Sequence, residues 1–279
     1  MTWQEFESWL QDSARRPLVM GVLNVTPDSF SDGGRYADAG LAERHARQMV
    51  AEGAQLIDIG GESTRPGAPR IDAEEQIRRI VPVIDRLRDL PAILSVDTTR
   101  AAVAAAALDA GAHLVNDISG GADDPEMIPL IAARRVPVVL MHMRGQPATM
   151  QRLTDYIDVV AEVKQHLAHL RDTAEAAGVP RHHILLDPGI GFAKRMEHNL
   201  TLMRHLSALS ELGQPLLLGT SRKSFIGKIT DEDEPSHRLF GTAASVAWCV
   251  ANGADIVRVH DVAPMSKVVR MTDAIRKGF

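Results

Sequence analysis

At 279 residues, with 45% hydrophobic side chains, the chain can bury one large α/β core and needs no division into two domains. A formal charge of -5 and an isoelectric point of about 6.1 exclude a nucleic-acid binder that relies on bulk positive charge, so an anionic ligand must be met by a local cluster. A single cysteine, Cys249, rules out an intramolecular disulfide and, in the apolar run 243–250, reads as a buried thiol of a reducing cytoplasm; no run reaches the roughly 18 apolar residues of a membrane span.

The first residues, MTWQEFESWLQDSARR, have no apolar signal-peptide core. They read as a helix with Trp3, Phe6 and Leu10 on one face, expected to cover the floor of the fold. Short apolar runs then alternate with Ala-rich segments of helical period. Strands are predicted at 18–24, 55–59, 92–97, 113–118, 136–141, 184–187, 215–219 and 255–259. Helices are predicted at 39–52, 73–88, 100–110, 125–134, 156–177, 197–212, 236–252 and 265–276. Gly53, Gly111, Gly178 and Gly253 stand where left-handed C-caps belong. After the seventh strand, Gly227 and the acidic run 231–234 predict a long loop, with the next helix delayed to Pro235. Eight βα units in roughly 250 residues predict a (β/α)8 barrel forming one domain over 1–279, with a doubly wound open sheet as the runner-up.

Nearly every strand ends in a polar group. In order these are Asn24, the stretch from Glu62 to Arg65, Asp97, Asn116 with Asp117, His142, Asp187, Lys223 and Arg258 with His260. A barrel gathers them at its C-terminal mouth. Each alone could cap the next helix, but eight such coincidences are improbable. Carboxylates and amides (Asp97, Asp187, Asn116, Asn24) facing donors (Lys223, Arg258, His260) suit a ligand with two ends: a heterocycle edge with adjacent N–H donors, and a pyrophosphate. A metal held between the carboxylates is the competing reading at this level. No zinc-type spacing is present, and His182, His183, His198 and His205 read as surface residues. GTSRKS lacks the Gly before Lys of a phosphate loop, and GIGFAK lacks the third Gly of a dinucleotide fingerprint.

Eight stretches carry a resemblance that runs from residue 20 to 261: GVLNVTPDSFSDGG (21–34), DIGGESTRPGA (58–68), SVDT (95–98), VNDISGG (115–121), MHMRGQPATMQ (141–151), DPGIGFAK (187–194), GTSRKSFIG (219–227) and RVHDV (258–262). The sequence closely resembles the dihydropteroate synthase family. One departure is Ala193, where the family usually has Gly; a slight change of the rim beyond the sixth strand is expected there.

The resemblance implies a folate-pathway transferase that joins 6-hydroxymethyl-7,8-dihydropterin diphosphate to 4-aminobenzoate, releasing diphosphate. It implies a pterin site of Asp97, Asn116, Ile118, Met141, Asp187, Phe192, Gly219 and Lys223. Arg65, Arg258 and His260 would meet the diphosphate, and Asn24 would ligate Mg²⁺. Phe30, Thr64, Arg65, Pro66, Arg222 and Ser224 would meet aminobenzoate. Lys223, Asp97, Arg258 and His260 are the expected catalytic residues. Loops 25–36 and 60–72 look like mobile lids. A cytoplasmic homodimer with no nucleic-acid or membrane partner is implied. Two readings of other classes stand beside it: a methyltetrahydrofolate-dependent methyltransferase, which needs neither the STRPG nor the SRKS loop, and a non-catalytic pterin-binding paralogue.

Overall fold

Eight parallel strands close on themselves in the computed structural model, which describes residues 1–26, 34–62, 70–146 and 148–278. Helix α1 (Trp3–Gln11) comes first, closed by a capping box in which Thr2 Oγ1 accepts from Glu5 N–H and the Glu5 carboxylate accepts from Thr2 N–H. The first half continues β1 (Leu18–Asn24), α2 (Gly34–Ala51), β2 (Leu56–Gly60), α3 (Ala73–Leu87), β3 (Ile93–Asp97), α4 (Ala101–Ala110), β4 (Leu114–Asp117) and α5 (Met127–Arg134). The second half is β5 (Val138–Met141), α6 (Val159–Ala176), β6 (Ile184–Asp187), α7 (Met196–Arg204), α8 (Leu206–Ser210), β7 (Leu217–Leu218), α9 (Ser224–Thr230), α10 (Leu239–Ala251), β8 (Ile256–Val259) and α11 (Val262–Lys277).

Strand order is β6-β5-β4-β3-β2-β1-β8-β7, and a bridge between Leu186 and Leu216 joins the two ends. A closed ring is a barrel, so the open-sheet alternative is set aside. Successive side chains of each strand point to opposite faces. One set, including Val19, Ile57, Leu94 and Leu186, packs outward against the helices. The other set forms the floor: Leu18, Met20, Leu56, Ile93, Leu114, Val139, Leu185, Leu217 and Ile256 pack on Phe6, Trp9 and Leu10 of α1. Helix α1 plugs the barrel as its apolar face predicts, and each fully buried side chain there stabilises by about 2 kcal/mol. The four predicted C-cap glycines all have positive φ, from 98° to 114°.

Three expectations need correction. Helix α9 starts at Ser224, directly after Lys223 as its N-cap, because burying Phe225 and Ile226 outweighs the Gly at 227. Gly227 sits against the Glu232 carbonyl and the Arg238 guanidinium, where no side chain fits. The predicted sixth helix breaks at His205 (φ -108°, ψ 29°) into α7 and α8. His183 is buried, not superficial, beneath Trp3 and against Glu7.

Candidate active site at the barrel mouth

Register places the strand-end polar groups side by side. Asn24 pairs with Gly60, Gly60 with Asp97 and Asp97 with Asn116, while Met141 pairs with Asp187. Strand β8 adds Arg258, whose backbone is in register with Met20.

The centre is an ion cluster. Arg258 donates from Nε to Asp58 Oδ2 at 2.6 Å and from Nη2 to Asp97 Oδ2 at 2.8 Å. Asp58, wholly buried, also accepts from Ser95 Oγ at 2.6 Å and Asn116 Nδ2 at 3.0 Å. Asn116 is thereby fixed by its amide nitrogen, which leaves its carbonyl oxygen free to accept. Burial and the neighbouring Asp58 charge push the Asp97 carboxyl up to about 7, against the pull of Arg258. Burial works against the charge on Arg258 too, but Asp58 and Asp97 more than offset it and raise its pKa. Asp58 is a residue that sequence reasoning left unassigned; its signal was an aspartate inside the apolar run LIDIG.

On the opposite wall, Asp187 accepts the Gly189 N–H at 2.7 Å, and burial raises it to about 6. Lys223 Nζ lies 4.3 Å from the centroid of the Phe192 ring and close against Gly191. Burial, then the Arg258 charge, lowers Lys223 to about 8, so it stays mostly protonated at neutral pH. Ile118 and Met141 pack with Met143, Met150 and Ala193, with Phe192 alongside, as the apolar wall. Gly219 approaches Arg258, its missing Cβ position 3.9 Å from the arginine Cβ.

His260 is held by Ser221, whose Oγ accepts the His260 N–H at 3.2 Å and lies 3.0 Å from Nδ1. Burial and Arg258 push its imidazole down to about 3, so it can meet an anion as a neutral N–H donor rather than as a cation. Arg222, expected to meet a carboxylate, is already paired with Asp261 at 3.0 and 2.6 Å. Ser224 is exposed at the rim. Phe30, Thr64, Arg65 and Pro66, with most of loops 25–36 and 60–72, lie outside the described residues.

A second feature went unread in the sequence. Lys194 is buried and donates to the carbonyls of Gly189 (3.1 Å) and Phe192 (2.9 Å), with His142 Nδ1 at 2.9 Å as its third partner. Burial lowers it to about 7, and burial with Lys194 beside it drops His142 to about 2, leaving that ring nitrogen an acceptor. This lysine ties the end of β5 to the turn carrying Phe192 and the Asp187 cap. Ala193 in that turn is left-handed (φ 48°), a conformation costing a non-glycine residue about 1 kcal/mol, and its carbonyl accepts from Tyr156 Oη at 3.0 Å.

A buried set of acceptors beside an apolar wall suits the edge of a heterocycle, and the sequence matches the family of pterin binding enzymes over residues 20–260. The chain is 51% identical over 269 residues to the dihydropteroate synthase of Synechocystis sp., covering 95% of this chain and 92% of that one. Among solved structures, the Xanthomonas albilineans dihydropteroate synthase with 4-aminobenzoic acid superposes with a TM-score of 0.89 at 44% identity, covering 95% of this chain and 94% of that chain. The Yersinia pestis dihydropteroate synthase with a sulfonamide drug complex gives 0.90 at 43% identity, covering 96% and 97%. The chain belongs to the pterin-binding enzymes and, within them, to the dihydropteroate synthase family.

Proposed function

We infer that the barrel mouth condenses 6-hydroxymethyl-7,8-dihydropterin diphosphate with 4-aminobenzoate, giving 7,8-dihydropteroate and diphosphate. The observation that carries this reading is the convergence of Asp97, Asn116 and Asp187 as acceptors around an apolar wall, with Lys223 over Phe192. An arylamine is uncharged at neutral pH and needs no strong base. Catalysis therefore rests on orienting it and on stabilising the departing charge. Asp97, Asn116 and Asp187 hold the pterin edge, and Asp97 stabilises positive charge spreading into the ring from the methylene. Arg258 keeps N–H donors beyond those given to Asp58 and Asp97, and His260 adds a neutral donor. Arg65 is the further cation the resemblance implies.

Mg²⁺ fits the residues present. The Asn24 side-chain oxygen at the end of β1 and Asp97 Oδ2, which also accepts from Arg258, each lie 3.8 Å from where a Gly60 Cβ would stand, so two hard oxygens flank the end of β2. Such ions take few protein oxygens and complete their shell with phosphate and water. Bound there, Mg²⁺ would neutralise the leaving group. The decisive assay is pyrophosphate release from the pterin diphosphate. It should require both 4-aminobenzoate and Mg²⁺, and a sulfonamide should compete with the amine. Release without the amine would make the protein a hydrolase; pterin binding with no product would make it a non-catalytic binder; methyl transfer without pyrophosphate would make it a methyltransferase.

A homodimer is part of the proposal. Phe240 and Trp248 on α10 and Met271 and Ile275 on the adjacent α11 are exposed apolar side chains that association could cover. Light scattering should give twice the 30.4 kDa chain mass, and Phe240→Glu with Ile275→Glu should shift it to monomer. A monomeric wild type at assay concentration would remove the dimer. The buried, free Cys249 supports a reducing, cytoplasmic setting, and among the described residues no helix is long and apolar enough to cross a membrane.

A further inference from the structure

At the end of the barrel opposite the mouth, three metal-ligating side chains converge from segments far apart in sequence. Glu7 lies on α1, and His182 and His183 form the 3-10 turn leading into β6. One ligand atom from each lies within 4.8 Å of the others. His183 Nε2 is 2.7 and 3.1 Å from the two Glu7 oxygens, His182 Nε2 is 3.6 Å from Glu7 Oε1, and the two imidazoles meet edge to face at 4.4 Å. His183 is only 5% exposed, with Trp3 edge-on beside it, and its Nδ1 finds no hydrogen-bond partner among the described residues. The ring is therefore held in place with Nε2 against the Glu7 carboxylate and beside the His182 imidazole.

We propose that Glu7, His182 and His183 bind one zinc-class divalent ion, with water completing the shell, and so pin the floor helix to the start of β6. Two imidazoles and a carboxylate with an open position make a recurrent zinc ligand set. Metal–ligand bonds near 2.1 Å put neighbouring ligand atoms about 3.4 Å apart in a tetrahedral shell, close to the His182–Glu7 separation. The shorter His183–Glu7 contact is a hydrogen bond that the ion would replace: Nε2 gives its lone pair to the metal and the ring proton is carried on Nδ1, so the imidazole stays neutral. Nitrogen ligands select against Mg²⁺, so this site and the mouth do not compete for one ion.

The test is calorimetric and thermal titration of untagged, chelator-treated protein with Zn²⁺ alone. We expect one Zn²⁺ bound per chain and a melting temperature that climbs with Zn²⁺ concentration, with no such site for Mg²⁺. His182→Gln, at a half-exposed position, keeps the His183–Glu7 bond and should leave the zinc-free melting temperature unchanged. It and Glu7→Gln should weaken Zn²⁺ binding by more than the about tenfold cost of losing a mere outer-shell partner. No saturable Zn²⁺ uptake by the wild type, or wild-type affinity retained in both variants, would overturn the proposal and leave a simple His–Glu staple.

Discussion

Lys223→Ala should fold normally and lose on the order of 10²-fold or more in turnover, the size expected for removing one preorganised charge from a water-poor site. The ammonium sits over the Phe192 ring, where burial and Arg258 have lowered it to about 8. The sign of its stability effect follows. A lysine of ordinary pKa near 10.5 whose folded value is lower binds fewer protons folded than unfolded between the two values, so stability rises with pH through that window. At neutral pH the partly buried charge is a net cost. Removing it should leave the melting temperature unchanged or higher while kcat collapses. Near-wild-type kcat would take Lys223 out of the site.

For Asp187→Asn the loss should fall on the pterin. An amide presents a donor where two acceptor oxygens faced the heterocycle's N–H groups, and a buried donor–donor clash costs on the order of 1 to 3 kcal/mol, roughly a five- to hundredfold drop in pterin affinity. Aminobenzoate affinity for the preformed pterin complex should change little. Without ligand the variant should be the more stable protein above pH 6. The carboxyl is raised from 3.8 to about 6 by burial, so the folded state holds its proton longer than the unfolded chain. Its contribution is fully present below the unfolded value and is lost as pH rises through 6, by up to about 3 kcal/mol. Calorimetric titration with the pterin diphosphate, and melting curves at pH 5 and 8, read both effects. Unchanged pterin affinity would reverse the orientation assigned to the ligand.

Much of this site is local in sequence and so was readable there. A strand that stays apolar until Asn24, Asp97 or Asp187 announces where it leaves the core, and the barrel turns eight such ends into one ring. The face of Trp3, Phe6 and Leu10 announced the floor, as the glycines after helices announced the caps. What could not be read depends on closure. Arg258 reaches Asp58 across 200 positions of sequence, and nothing in DIGGE says that its aspartate will bind an arginine from the last strand. Helix α9 was obscured because Gly227 counts as a helix breaker until the Glu232 carbonyl and Arg238 are seen to occupy its side-chain space. The burial of His183 was hidden for the same reason, since Glu7 and Trp3 reach it from the far end of the chain.

Helix α1 and the side chains packed on it close the lower end of the barrel, so the site at the strand ends opens only at the mouth. Asp97, Asn116 and Asp187 lie buried within it, whereas Ser224 is exposed at its lip. A molecule seated at the bottom must enter before one seated at the lip and cannot leave beneath it. On the proposed assignment this sets a queue: heterocycle first, amine second, with the joined product backing out along the path by which its deeper half arrived.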